Sequence, residues 1–258
     1  MEYELLNPLV GFTIGMVVGC LGIGGGALMM PYLLYGLHLE PIVAVGTDLM
    51  VAAGMKALGA YEHARLGTVD WARVGWLALG SVPGIALASA LLLGIGDSDR
   101  EAMNAWIVRA VGLALLLVAS LSFFRPLLGR LHGQLGLGRV SASGRCAGLS
   151  VTGFAVGALV ALTSVGSGTL VGLVLITATS LSAHRIVGTD LAHALIVIVV
   201  GALFHLGAQT IQWPVVISLL SGGLPGVWLG SRLSMGISES AVRVGISLVL
   251  VMTGASLV

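Results

Sequence analysis

Few side chains in this 258-residue chain can carry charge, and their placement is informative. Lys56 is the single lysine and sits inside an apolar stretch, where an ammonium is costly without a partner or water. It could attract an anion there; an ion pair with an acid, or snorkelling toward the interface, would equally satisfy it. Asp48 and Asp190 occupy matching positions in Gly46-Thr47-Asp48-Leu49 and Gly188-Thr189-Asp190-Leu191. Such carboxylates either cap helix starts or carry protons. His63 and His205 share a helical face with Asp48 and Asp190 respectively and lie near helix ends, where an interfacial role and a proton relay are both open. Two breaks rich in small residues complete the set. One holds Gly22, Gly24, Gly25 and Gly26; the other holds Ser164, Gly166, Ser167, Gly168 and Thr169. A chain that stops and restarts a helix frees backbone N–H groups at the positive end of the new helix dipole, a site suited to an anion. Cys20, beside the first break, reads as a small apolar filler or as a sulfur contact to a ligand.

These residues must be held by membrane-embedded helices. With 57% hydrophobic residues, 9% charged residues and a mean hydropathy of +1.06, the chain has too much apolar surface for one water-soluble core. Nearly uncharged stretches lie near 8–37, 42–61, 74–93, 105–123, 147–181, 186–207, 213–231 and 241–258. Runs such as 111–120 and 191–200 are apolar on every face, which excludes the alternating pattern of a membrane β-barrel. A net charge of +1 favours neither nucleic acid nor a basic surface patch, and two cysteines make no disulfide framework. No metal or cofactor is called for. The start Met1-Glu2-Tyr3-Glu4 lacks a basic signal-peptide region, so the first apolar segment is expected to remain.

The chain is duplicated. An offset of 142 residues, from Gly46 to Gly188, also pairs Gly11-Phe12 with Gly153-Phe154, Gly24 with Gly166, His63 with His205, Trp71 with Trp213 and Pro83-Gly84 with Pro225-Gly226. Repeats are expected at 1–124 and 147–258, joined by a cytoplasmic linker at 125–146 that carries Arg125, Arg130, Arg139 and Arg145. Residues 8–37 are too long for one span and break at the glycines. If they form a re-entrant hairpin, Arg65, Arg73, Arg185, Arg232 and Arg243 share the linker's side, in keeping with the positive-inside rule. Gly11, Gly15 and Gly19, with Gly153, Gly157 and Ala161, mark faces for close helix packing, and Pro83 and Pro225 mark kinks. The expected fold is an all-α polytopic membrane protein of two homologous, inverted repeats, each a broken or re-entrant hairpin followed by three transmembrane helices.

The run Leu21-Gly22-Ile23-Gly24-Gly25-Gly26 followed by Pro31, the Gly46-Thr47-Asp48-Leu49 segment and the Gly-Thr-Val-Asp turn at Gly67 to Asp70 resemble the sulfite exporter TauE/SafE family, the toluene sulfonate uptake permeases. The resemblance implies a carrier in the bacterial cytoplasmic (inner) membrane for sulfite, thiosulfate or organosulfonates. The family pattern has Ser where Asp48 and Asp190 stand, so this chain adds a carboxylate to each half. The expected function is secondary transport with the anion between the two tips and protons as coupling partner, carried by Asp48, Asp190, His63 and His205. Two other readings stay open: an intramembrane serine hydrolase using Ser167 with His193 or His205, and an anion channel. The repeat argues against the hydrolase, because Ser167 pairs with Gly25.

Overall fold

The computed structural model describes residues 2–21, 25–94, 100–135, 142–179, 181–233 and 250–257, all helices and their connections, without strands among the described residues. The order is α1 (Glu2–Leu21), α2 (Gly26–Pro31) running into a π-helical turn (Tyr32–Gly36), α3 (Pro41–Arg65), α4 (Trp71–Gly94) and α5 (Arg100–Leu135). The second half repeats it with α6 (Ala142–Thr163), α7 (Ser167–Ala178), α8 (Ala183–Gly207) and α9 (Trp213–Leu233). Helix α5 thus runs on into the stretch expected as linker. Among the described residues, six helices are long and apolar enough to cross a membrane: Pro41–Arg65, Trp71–Gly94, Arg100–Leu121, Cys146–Thr163, His184–Gly207 and Trp213–Arg232.

Helices α3 and α8 form the inner pair. Two thirds of each of their apolar windows is buried (67%), against 39–44% for the other four, whose outward leucines, tryptophans and valines are left for lipid. Gly46 of α3 faces His205 of α8, and Gly59 faces Leu191, so the two helices run antiparallel.

Around this pair lie two seams of small residues. Gly11, Gly15 and Gly19 of α1 meet the backbone of α9 at Leu219, Gly223 and Val227, while Gly222, Gly226 and Gly230 of α9 meet Pro8, Phe12 and Met16. Gly80 and Gly84 of α4 meet Ser150 and Phe154 of α6, and Gly153 and Gly157 return the contact to Leu77 and Ser81. In both seams the numbers rise together, so the paired helices run parallel, and each seam joins one half to the other. Without Cβ atoms the backbones approach until side chains would overlap the facing carbonyls. Helices α4 and α9 continue through Pro83 and Pro225.

At the other end of α3, Glu40 ties the segment before it to α5. Arg100 Nε donates to Glu40 Oε1 at 2.6 Å, its Nη2 to Oε2 at 3.1 Å, and Asn104 Nδ2 to Oε1 at 2.7 Å. The Arg100 guanidinium and then the Asn104 amide hold the Glu40 carboxyl below the ordinary glutamate range.

Two outcomes follow. Gly84→Ala, whose Cβ would meet the Phe154 carbonyl, should cost about 1–3 kcal/mol in detergent unfolding, whereas Gly75→Ala, with open space around it, should be neutral. Because the Glu40 value is lowered in the folded protein, its contribution is present above the ordinary glutamate range and is lost as pH falls below that range through the lowered folded value. Thermal melts from pH 7 to 3 should therefore show less acid sensitivity in Glu40→Gln, by about 0.5 kcal/mol for so exposed a pair.

Candidate functional site

Between the inner pair and the two helix breaks lies a cluster of buried polar groups. Lys56 (2% exposed), Asp48 (1%) and Asp190 (3%) are joined there by Ser164, Ser167 and His193, all buried; Thr169, two residues further along α7, is buried as well. Apolar neighbours on α3 and α8, such as Val51, Met55 and Ala194, exclude water around them.

The second break is shaped by backbone. Helix α6 stops at Thr163; Ser164 takes φ 54° and Gly166 φ 101°, both left-handed, and α7 restarts at Ser167. Gly166 carries the conformation without a Cβ clash, whereas Ser164 must be held in it. Thr163 supplies part of the hold, since its Oγ1 donates to the Leu159 carbonyl at 2.8 Å and accepts from Val165 N at 3.1 Å. The turn delivers Ser167 to Lys56, whose Nζ donates to Ser167 Oγ at 2.7 Å. The ammonium has Asp190 and Asp48 as its charged neighbours, one from each half. Thus the single lysine bridges α3, α8 and the second tip.

The first break approaches from the other side. A Cβ on Gly26 would stand 2.8 Å from Asp48 Oδ2 and would overlap the Ser164 carbonyl, so both tips and the carboxylate converge. Among the described residues Asp48 Oδ2, Ser164 Oγ and His193 Nδ1 are buried without a well-formed hydrogen bond, with the Asp48 carboxyl and the Ser164 side chain as neighbours. A narrow cleft, too tight in this state for a water molecule, runs beside Asp48 and Lys56 between Val18, Gly25, Met29 and Met55. Gly22 and Gly24 lie outside the described residues, as does the Cys20 side chain. Gly168 is buried in the first turn of α7.

His63 and His205 are placed elsewhere, in the last turns of α3 and α8. Each has its Nδ1 2.8 Å from a threonine hydroxyl in the turn that follows, Thr68 and Thr210. Among the described residues Ser167 pairs with neither His193 nor His205: it accepts from Lys56, while His193 Nε2 lies 2.9 Å from Ser81 Oγ of α4. Sequence reasoning did not single out Ser81, and it named His193 only as a possible partner of Ser167. A signal was available, because Ser81 stands opposite Gly223 and His193 opposite Val51 in the repeat alignment, just as Lys56 stands opposite Ile198. Polar residues that break the repeat mark the site.

The family described as Sulfite exporter TauE/SafE matches residues 8–257. The chain belongs to this family. Its relatives include the probable membrane transporter protein YjnA of Bacillus subtilis (strain 168), 31% identical over 250 residues that span 97% of this chain and 98% of the relative. A second, the probable membrane transporter protein YdhB of the same organism, is 23% identical over 232 residues, 88% of this chain and 89% of the relative. No solved structure matches the chain. The protein is thus a multi-pass membrane transporter of the TauE/SafE family, with a buried Lys–Asp–Asp centre between its halves.

Removing the hydroxyl under Lys56 tests how tightly this centre is assembled. Ser167→Ala should lower stability by about 1–3 kcal/mol in detergent melts, the cost of a buried donor left without an acceptor. In a Lys56→Met background the same change should cost much less, a coupling that a double-mutant cycle measures.

Proposed function

We propose that this TauE/SafE protein carries a small sulfur-containing anion, of the sulfite, thiosulfate or organosulfonate class, across the bacterial cytoplasmic membrane together with protons. The observation that carries the reading is the Lys56 ammonium, buried between Asp48 and Asp190 and bonded to Ser167 at the second tip. An ammonium inside a membrane protein marks a substrate or ion pathway. The anion would sit between the tips, held by Lys56, by the hydroxyls of Ser164, Ser167 and Thr169, and by backbone N–H groups of both breaks.

Charge counting gives the coupling. One ammonium faces two carboxylates, so the empty centre with both ionised bears one net negative charge, and a monoanion entering it would raise that to two. Such an excess in a medium of low dielectric is prohibitive. The anion therefore enters with protons on Asp48 or Asp190, which frees Lys56 from its carboxylates to pair with the substrate.

Alternating access would follow from inverted halves, a reading supported by the sense of the helix pairs. Helix α3 runs opposite to α8, and Met55 of α3 packs at Gly223 of α9 as Gly54 does at Leu220, so α9 follows α3. Ser81 meets His193 and Ile85 meets Gly201, so α4 follows α8. Adding the parallel seams α1/α9 and α4/α6 makes every helix of these pairs antiparallel to its repeat counterpart. Asp70 brings Arg73 and Arg185 to one end, which becomes the cytoplasmic one.

Purified protein in proteoliposomes tests the reading. Uptake of labelled sulfite, thiosulfate or a small alkanesulfonate should saturate and be driven by a proton gradient. Asp48→Asn and Asp190→Asn should remove the pH dependence, and Lys56→Gln should reduce flux at least about tenfold. Unaltered pH dependence in both Asn variants would sink the coupling; flux without saturation would favour a channel.

A further inference from the structure

The two Gly-Thr-Asp segments do more than place a carboxylate. Thr189 of α8 is fully buried and its Oγ1 accepts from Asp70 N at 3.0 Å, in the turn that follows α3. Gly188 beside it packs on that turn, where a Cβ would stand 2.7 Å from Thr68 Oγ1 and 3.1 Å from His63 Nδ1. The turn itself is pinned to α3 by Thr68, whose N donates to the His63 carbonyl at 3.1 Å and whose Oγ1 lies 2.8 Å from His63 Nδ1.

The same arrangement recurs at the opposite end of the pair. Thr47 of α3, also fully buried, accepts from Gln212 N at 3.1 Å in the turn after α8. Gly46 packs on that turn, with a Cβ position 2.8 Å from His205 Nδ1 and 3.0 Å from Thr210 Oγ1. Thr210 is pinned to His205 by the same two contacts, at 3.1 Å and 2.8 Å. Left-handed residues occur at equivalent points, Gly67 (φ 65°) and Gln209 (φ 55°).

We propose that these are two gate latches, one at each end of the α3/α8 pair, which open in alternation to expose the Lys56 centre first to one face and then to the other. The inference rests on the transporter reading above and adds the residues that gate it. In each latch one half's Gly-Thr grips the turn of the other half, so separating the halves at that end breaks the grip. Both latches are closed in this structure, and Asp48, Lys56 and Asp190 are correspondingly buried. The residue after each latch threonine is the site carboxylate. Charge or protonation at Asp48 therefore acts one peptide unit from the Thr47 latch, and at Asp190 one peptide unit from the Thr189 latch.

The latches differ in one respect. Asp70, at the first, pairs with Arg73 and with Arg185 at 3.4 Å, whereas the repeat counterparts at the second are Gln212, Val215 and Val43. The arginine-bearing latch is reinforced by charge, and among the described residues the other is closed by neutral contacts.

The test uses Ser167→Cys as a reporter in the full chain, with Cys20→Ala and Cys146→Ala, in vesicles of each orientation. The rate of labelling by a membrane-impermeant maleimide is measured from each face. Thr189→Val should raise labelling from the arginine-bearing face relative to the other by roughly fivefold, as expected for loss of one buried hydrogen bond. Thr47→Val should shift the ratio by a similar factor in the opposite direction. Shifts in the same direction, or none from either variant, overturn the latches.

Small side chains provide a second route that keeps the hydroxyl acceptors. Gly188→Ala, whose Cβ would press on Thr68, should raise labelling from the arginine-bearing face, and Gly46→Ala, whose Cβ would press on the Thr210 carbonyl, should raise it from the other. Shifts in the same direction, or none from either variant, also overturn the proposal. Flux of sulfite, thiosulfate and a small alkanesulfonate through the chain without the Ser167→Cys reporter separates the two readings. Opposite labelling shifts without saturable flux of any sulfur anion keep the latches and remove the substrate class. Saturable flux without opposite shifts does the reverse.

Discussion

An ammonium buried in a membrane-embedded core imposes itself on everything near it. Lys56 is 2% exposed, and its compensation comes from three directions: Asp48 on its own helix, Asp190 on α8 and the Ser167 hydroxyl at the start of α7. Removing any of these leaves charge in a medium that cannot solvate it. The requirement fixes the register of α3 against α8 and fixes the second break as well, because Ser167 reaches Lys56 only after the chain has turned through left-handed Ser164 and Gly166. The same requirement makes the centre responsive. Under the proposed function, an incoming anion or a proton would change the local balance by a full charge.

What can rearrange is set by the kind of contact in each seam. The α1/α9 and α4/α6 seams are backbone against backbone, with glycines on both sides and carbonyls facing the missing Cβ positions. Such interfaces have little tolerance for sliding, so each pair behaves as a unit. The ends of α3 and α8 are closed differently, by a few hydrogen bonds and small-residue contacts around Thr47 and Thr189. These are of modest net energy and can be exchanged. Rigid outer pairs and exchangeable inner ends suit the alternating access proposed above.

Duplication built this frame, and departure from duplication gave it chemistry. The latch threonines, the turn threonines, the histidines and both aspartates are kept in register between the halves. Lys56, Ser81, His193, Ser164 and Ser167 are not, since Ile198, Gly223, Val51, Gly22 and Gly25 stand opposite them. A symmetric scaffold thus carries one asymmetric centre, weighted toward the second tip.

Membrane residence, the helical class, the two halves and the two breaks are written in the sequence, because apolar runs, a fixed offset and clustered glycines are local or periodic signals that do not depend on folding. The small-residue faces at Gly11, Gly15, Gly153 and Gly157 were legible for the same reason, though not their partners. The family resemblance at residues 21–26 and 46–49 was legible too and agrees with the match over residues 8–257. Tertiary structure alone decided that α1 packs on α9 of the other half, that His63 and His205 close turns at the helix ends, and that Lys56 reaches Ser167, 111 residues along the chain. Those outcomes depend on which helices become neighbours. A helix with apolar side chains on nearly every face gives no directional preference of its own, so its neighbours are chosen by backbone fit at glycines and by the need to pair a buried charge.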